Sequence, residues 1–185
     1  MCIRDSPSTL TDMDTACERL FKAILDEDRI SIFGDYDVDG STSTSILVNY
    51  FRQISINLDF HIPDRFTEGY GPSINSFSKF KSQNTNVIIT VDCGTMAHSE
   101  IDYANQQGMD VIVLDHHLPE ISLPEAKAII NPNRIDDTSG LNYLAAVGVT
   151  FMLTVGLNRK LRDEGWFEKK LLKEPNLIEL LDLVA

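Results

Sequence analysis

Short apolar runs and longer stretches of helical period take turns along this 185-residue chain, and that alternation constrains its fold more than any other feature. Arg29-Ile30-Ser31-Ile32-Phe33, Leu58-Asp59-Phe60-His61-Ile62 and residues 86–91, 111–114 and 126–130 read as five strands. Between them, residues 41–53 place Ile46, Leu47, Tyr50 and Phe51 on a buried face, and 74–81 form a short helix. Residues 96–107 form another, closed by Gly108. Upstream, Met13, Cys17, Leu20 and Ile24 recur at helical spacing after Thr11 and Asp14, a pair that resembles a capping box. Residues 144–161 are apolar almost all round and predict a core helix. The expected fold is α/β, a doubly wound, mostly parallel five-stranded sheet with helices on both faces.

In such a sheet, ligands bind at the carboxyl ends of the strands. Three strands here run into residues that ligate metals. The first ends in Asp35-Tyr36-Asp37-Val38-Asp39-Gly40, the third in Asp92-Cys93-Gly94, and the fourth in Asp115-His116-His117. Parallel strands share one carboxyl edge, so these loops converge despite their separation in sequence. Carboxylates packed together raise one another's pKa unless a cation neutralises them. Carboxylates with one or two imidazoles suit manganese or magnesium better than zinc held by thiolates. Any one of these aspartates could be a turn former or helix cap; three such loops on one edge favour a shared site. His61 and His98 lack such company and read as ordinary histidines. Asp-x-Asp-x-Asp-Gly also opens a calcium-binding EF-hand, but position twelve from Asp35 is Ile46, and a strand, not a helix, precedes it.

Composition bounds the remaining classes. With 43% hydrophobic residues the chain suits a single globular domain. No apolar run approaches the roughly 20 residues that span a bilayer, and Met1 to Ser6 lack a signal peptide's basic start and apolar core. A cytoplasmic, monomeric protein with no membrane partner is expected. Cys2, Cys17 and Cys93 are odd in number and never adjacent enough for a thiolate zinc site, so reduced thiols are expected. The net charge of -12 repels nucleic acid in bulk, although cations gathered by the aspartates would reverse the local field. Arg159, Lys160, Arg162, Lys169, Lys170 and Lys173 form the cationic cluster; with Asp163, Glu164 and Glu168 interleaved it reads as a solvated face.

The three acidic and histidine loops, in this order and spacing, resemble the first three motifs of the DHH phosphoesterase family. Within it the chain is similar to the RecJ-type single-strand-specific exonucleases. Supporting stretches are residues 62–71, Leu118-Pro119, Ile130-Asn131-Pro132-Asn133, Ala145-Ala146-Val147-Gly148-Val149 and Gly165-Trp166-Phe167. The resemblance implies a two-cation phosphodiester hydrolase, using Mn2+ or Mg2+, that degrades single-stranded DNA 5′ to 3′ in repair and recombination. It assigns Asp35 and Asp37 to the first cation, Asp92 to both, and Asp39 and His116 to the second. His117 would face the scissile phosphate while Asp115 orients an imidazole. Arg65 would contact substrate phosphate; the alternative for Arg65 is a surface salt bridge with Asp64 or Glu68. Gly34, Gly40 and Gly94 would let the backbone turn around the ions.

The family's fourth motif and second domain find no counterpart before Ala185. The expected organisation is therefore a phosphoesterase domain over residues 7–185, truncated before the fourth motif, with residues 1–6 disordered or non-native. Asp182, expected on an amphipathic helix, is no substitute for the fourth-motif aspartate. Two other readings stand beside the exonuclease. One is another hydrolase of the superfamily, acting on oligoribonucleotides, cyclic dinucleotides or pyrophosphate. The other is a non-catalytic binding module.

Overall fold

The computed structural model describes residues 6–184. The five apolar runs become β1 (Ile30–Phe33), β2 (Asp59–His61), β3 (Val87–Val91), β4 (Asp110–Leu114) and β5 (Ala128–Ile130). They form one sheet in the order β2-β1-β3-β4-β5, with every neighbouring pair parallel. Helices α1 (Met13–Leu25), α2 (Val38–Gln53), α3 (Ile74–Ser82), α4 (His98–Gln106), α5 (Ala146–Asp163) and α6 (Trp166–Lys170) surround it, with 3-10 turns at Pro7–Thr9 and Leu177–Leu183. The doubly wound α/β fold is the one expected from the alternation.

Successive strand residues point to opposite faces, and the sheet uses both. Ile30, Ile32, Val87, Ile89, Val91, Ile112, Leu114, Ala128 and Ile130 share one core with residues of α1, α2 and α5. Phe33, Ile88, Val111, Val113 and Ile129 join a second core beneath α3 and α4. This explains why the central strands are continuous apolar runs rather than alternating ones. The edge strand β2 is half-exposed and correspondingly polar.

Several boundaries differ from the sequence expectation, each for a tertiary reason. The capping box at Thr11 and Asp14 does not form. Asp12 occupies the N-cap in the left-handed region, at φ 63°, without a side-chain cap. The local acidic groups are drawn elsewhere: Thr11 N donates to Asp137 Oδ2, while Asp12 Oδ2 accepts from Ile129 N and Arg134 Nη1. Helix α2 begins at Val38, not at residue 41, because Asp37 caps it by accepting from Gly40 N at 2.9 Å. Half of the first acidic loop is therefore the first turn of a helix. Asp182 lies in a 3-10 turn. Residues 1–5, Cys2 among them, and Ala185 lie outside the described residues; Ser6 belongs to the first 3-10 turn through Thr9 N to Ser6 O.

The cationic cluster sits where the sequence placed it, on a solvated face. Lys160 pairs with Glu18 and Glu164, Arg162 with Asp163 and Glu174, and Arg159 reaches Ser8. It lies at the far end of α5 from the acidic loops, about 20 Å along the helix axis.

Candidate metal centre

The order β2-β1-β3-β4-β5 reverses direction between β1 and β3, which leaves a crevice outside their carboxyl ends. Asp35 follows β1 by one residue beyond Gly34, and Asp92 follows β3 immediately. Asp115 follows β4 in the same way. The topology, not local sequence, brings them together.

Two sets of donor atoms lie within 4.8 Å of one another: Asp35, Asp37 and Asp92 in the first, Asp92, His116 and His117 in the second. Asp92 belongs to both. It is 1% exposed, its backbone sits at φ 61°, and its Oδ1 has no hydrogen-bond partner. His116 Nε2 stands 3.4 Å from that oxygen, beyond normal hydrogen-bonding length. Burial, followed by the charges of Asp39 and Asp37, pushes the Asp92 carboxyl up to about 8. Burial also raises Asp35, and the charge of Asp37 adds to it, against a hydrogen bond from Tyr36 N.

The third loop is arranged differently. Asp115 Oδ1 accepts from His116 N at 2.7 Å, His117 N at 3.1 Å and His117 Nδ1 at 2.7 Å, while Oδ2 accepts from Thr95 N at 3.1 Å. Burial opposes its ionisation, yet these bonds prevail and hold the carboxyl below its usual value. The same contact raises His117 to about 9. With Nδ1 committed to Asp115, the other ring nitrogen, Nε2, is left for the crevice.

Asp39 stands apart. It lies outside both donor sets, and both of its oxygens accept from the start of α5, Oδ2 from Ala146 N at 2.9 Å and Oδ1 from Val147 N at 2.7 Å. Arg65 is exposed, with its guanidinium 5.5 Å from the centre of the Tyr36 ring. It makes neither of the salt bridges considered for it, because Asp64 is engaged by Phe66 and Thr67, and Glu68 by Asp64 N and His61. His61 is thus accounted for.

The three glycines act by close approach more than by turning. Only Gly94, at φ 108°, needs the left-handed side of conformational space. A Cβ on Gly40 would fall 2.6 Å from the Asp35 Cβ and carbonyl oxygen, and one on Gly34 2.4 Å from Thr44 Oγ1. Gly40→Ala is therefore expected to destabilise the protein by about 1–3 kcal/mol. Urea unfolding measures this, and an unchanged midpoint would show that Asp35 can move aside.

Sequence reasoning missed two supports. Asn131 Nδ2 donates to Thr95 Oγ1 and His117 O, and Asn133 Nδ2 to His116 O, so the loop after β5 fastens the histidine pair from outside. Tyr70 Oη donates to Asp92 O. An Asn-x-Asn directly after a strand was the available signal for the first; for the second it was the stretch 62–71, which carries Tyr70.

The residues suit hard dications. Four carboxylates converge, no Lys or Arg among the described residues pairs with them, and a buried carboxylate oxygen lacks a donor. Oxygen donors with one or two imidazoles match Mn2+ or Mg2+. In metal-free protein this arrangement has a pH signature. Asp92 has a folded pKa of about 8 against the usual 3.8, so the folded state loses stability as pH rises between those values. His117, raised from 6.5 to about 9, contributes stability that is fully present below 6.5 and lost as pH rises through 9. Both act in the same direction. The melting temperature in chelator is expected to fall by about 5 °C or more from pH 6 to 9, and scanning calorimetry that found it constant would contradict this electrostatic account.

A family model, DHH family, N-terminal domain, matches residues 29–185. The chain is 44% identical over 177 residues to the single-stranded-DNA-specific exonuclease RecJ of Salmonella typhimurium, covering 95% of this chain and 31% of that protein. It superposes on a crystal structure of exonuclease RecJ bound to manganese with a TM-score of 0.77 and 30% identity, over 95% of this chain and 42% of the other. For RecJ of Thermus thermophilus in complex with Mn2+, the TM-score is 0.71 at 27% identity, over 95% and 23%. The chain thus spans about a third of the length of the curated relative.

Proposed function

This chain belongs to the DHH family, and from that premise we propose that its acidic rim holds two divalent cations and hydrolyses single-stranded DNA from its 5′ end, in repair and recombination. The observation that carries the proposal is Asp92, common to both donor sets and left with an unpartnered, buried oxygen. Asp35 and Asp37 would hold one Mn2+ or Mg2+, Asp39 and His116 the other, and Asp92 both. When bound, such ions supply Lewis-acid charge that acidifies water and stabilises the leaving oxygen of a phosphodiester.

The chain's own groups have separate tasks. Asp115 keeps Nδ1 of His117 protonated, so that Nε2 is the nitrogen offered to the scissile phosphate. Asn131 and Asn133 fix the carbonyls of His117 and His116, which limits how far either imidazole can turn. Arg65, exposed beside Tyr36, would meet the phosphate backbone and offset part of the bulk negative charge. Its replacement by Ala is expected to weaken DNA binding and to reduce its salt dependence by about one phosphate contact.

No described helix is long and apolar enough to cross a membrane. We place the protein in the cytoplasm as a monomer, with the grip on the DNA strand completed by a second domain such as the longer relatives have room for. The direct test offers the protein 3′-labelled single-stranded DNA, duplex DNA, short RNA, pyrophosphate and a cyclic dinucleotide, each with Mn2+ and with chelator. Single-stranded DNA should be shortened fastest, and only with the cation. Faster turnover of any other member of the panel would overturn the assignment.

A further inference from the structure

A small cleft of about 180 Å3 opens beside the metal centre, lined by Tyr70, Pro72, Gly94, Met96 and Glu100. We propose that this cleft takes the base of a nucleotide flanking the scissile phosphate, stacked on the Tyr70 ring whatever the identity of the base. The inference deepens the proposed function and rests on it.

Three observations converge. The first is continuity with the metal centre. Tyr70 Oη donates to Asp92 O at 3.2 Å, and the Tyr70 and His117 rings meet edge to face, 6.0 Å apart at 71°. The side chain that walls the cleft thus touches both the carboxylate common to the two donor sets and the imidazole offered to the phosphate.

The second is the chemistry of the lining. Among the described residues no Lys or Arg borders the cleft, and Glu100 brings a half-buried carboxylate to it. A phosphate would be repelled there, whereas a neutral planar ring meets a phenol ring, a proline and a thioether. The volume equals that of about six waters at ~30 Å3 each, room for one nucleobase and not for a base pair. Stacking of this kind tolerates any sequence because every base has a π face.

The third is that the walls are held in place yet left uncovered. Tyr70 is fixed by its bond to Asp92 O, and Met96 Sδ accepts from Glu120 N at 3.4 Å, in the loop after the histidine pair. Even so, Tyr70 remains 56% exposed and Met96 45%. Apolar surface fastened open beside a reaction centre is surface that a ligand covers. A base already paired in a duplex cannot enter without being unpaired, so the cleft also favours a single strand.

The test compares 3′-labelled single strands that carry every base with strands lacking the base of the first or of the second nucleotide from the 5′ end. The first cleavage is followed in a single turnover with Mn2+ over a range of protein concentrations. In wild type, removing the base at one of these two positions should raise the half-saturating protein concentration about tenfold. Tyr70→Leu should raise it by about as much for the intact strand and leave no further effect of base removal. Tyr70→Phe, which keeps the ring and loses the bond to Asp92, should keep the tenfold difference. Met96→Ala, at an exposed position that leaves folding intact, should narrow it to about threefold. A merely structural role for Tyr70 would weaken intact and base-less strands alike.

Equal half-saturation for intact and base-less strands in wild type would overturn the cleft, as would a difference that survives undiminished in both Tyr70→Leu and Met96→Ala. If wild type cut no strand with Mn2+, the proposed function would fail instead. Fluorescence anisotropy of the same strands would then still decide on the cleft: a base-dependent affinity lost in Tyr70→Leu would uphold it, and equal affinity would remove it.

Discussion

Asp92→Asn is expected to lower the rate of single-strand hydrolysis by at least ~10³-fold while making the metal-free protein more stable. The two effects have one cause. In the folded chain Asp92 is buried, faces Asp37 and Asp39, and has one oxygen without a donor. Its ionised form is therefore strained, and the strain is relieved only by a cation or a proton. Asparagine removes the charge and keeps the shape. It also tolerates the left-handed backbone at φ 61° better than alanine, so the substitution adds no conformational penalty. At pH 8 in chelator the variant should gain about 2 kcal/mol or more, roughly 5 °C in melting temperature. Saturating Mn2+ should reverse the order, because wild type gains binding energy that the variant has lost. Equal activity in wild type and Asp92→Asn, or a lower metal-free melting point in the variant, would remove Asp92 from the centre of the site.

The second large effect is expected at Asp115. Replacing it with alanine leaves the N–H groups of Thr95, His116 and His117 and the His117 ring without their shared acceptor. Stranding several buried donors should cost about 3 kcal/mol or more. The freed imidazole can rotate and change tautomer, so the hydrolysis rate should fall by about 10²- to 10⁴-fold. Asp115→Asn separates these effects: it retains an acceptor for the loop but removes the charge that holds His117 near 9. In metal-free protein the His117 titration, followed by ring-proton resonance, should then move down towards 6.5, with a smaller loss of stability than in Asp115→Ala. An unmoved titration would mean that Asp115 does not govern the state of His117.

Much of this was legible in the chain itself. Runs such as Val87 to Val91 are too short and too apolar for anything but a doubly covered strand, and helical segments between them force parallel pairing. Loops that follow parallel strands must meet on one edge, so the convergence of Asp35, Asp92 and Asp115 followed from topology before any distance was known. Family resemblance then attached a chemistry to them. What could not be seen was how each acidic side chain is spent. Asp12, Asp37 and Asp39 are interchangeable as letters in acidic stretches. Yet Asp12 ties α1 to β5, Asp37 caps its own helix, and Asp39 caps another helix more than a hundred residues away.

The chain alone determined the layered α/β architecture, the edge on which the site lies and the residue types gathered there, because hydrophobic period and strand polarity are properties of local sequence. Only the tertiary structure decided which carboxylates face one another and which are satisfied by backbone N–H groups. Hydrogen bonds and Coulomb forces act over a few ångströms in space, and the partners that consume or leave free a given oxygen come from segments far apart along the chain.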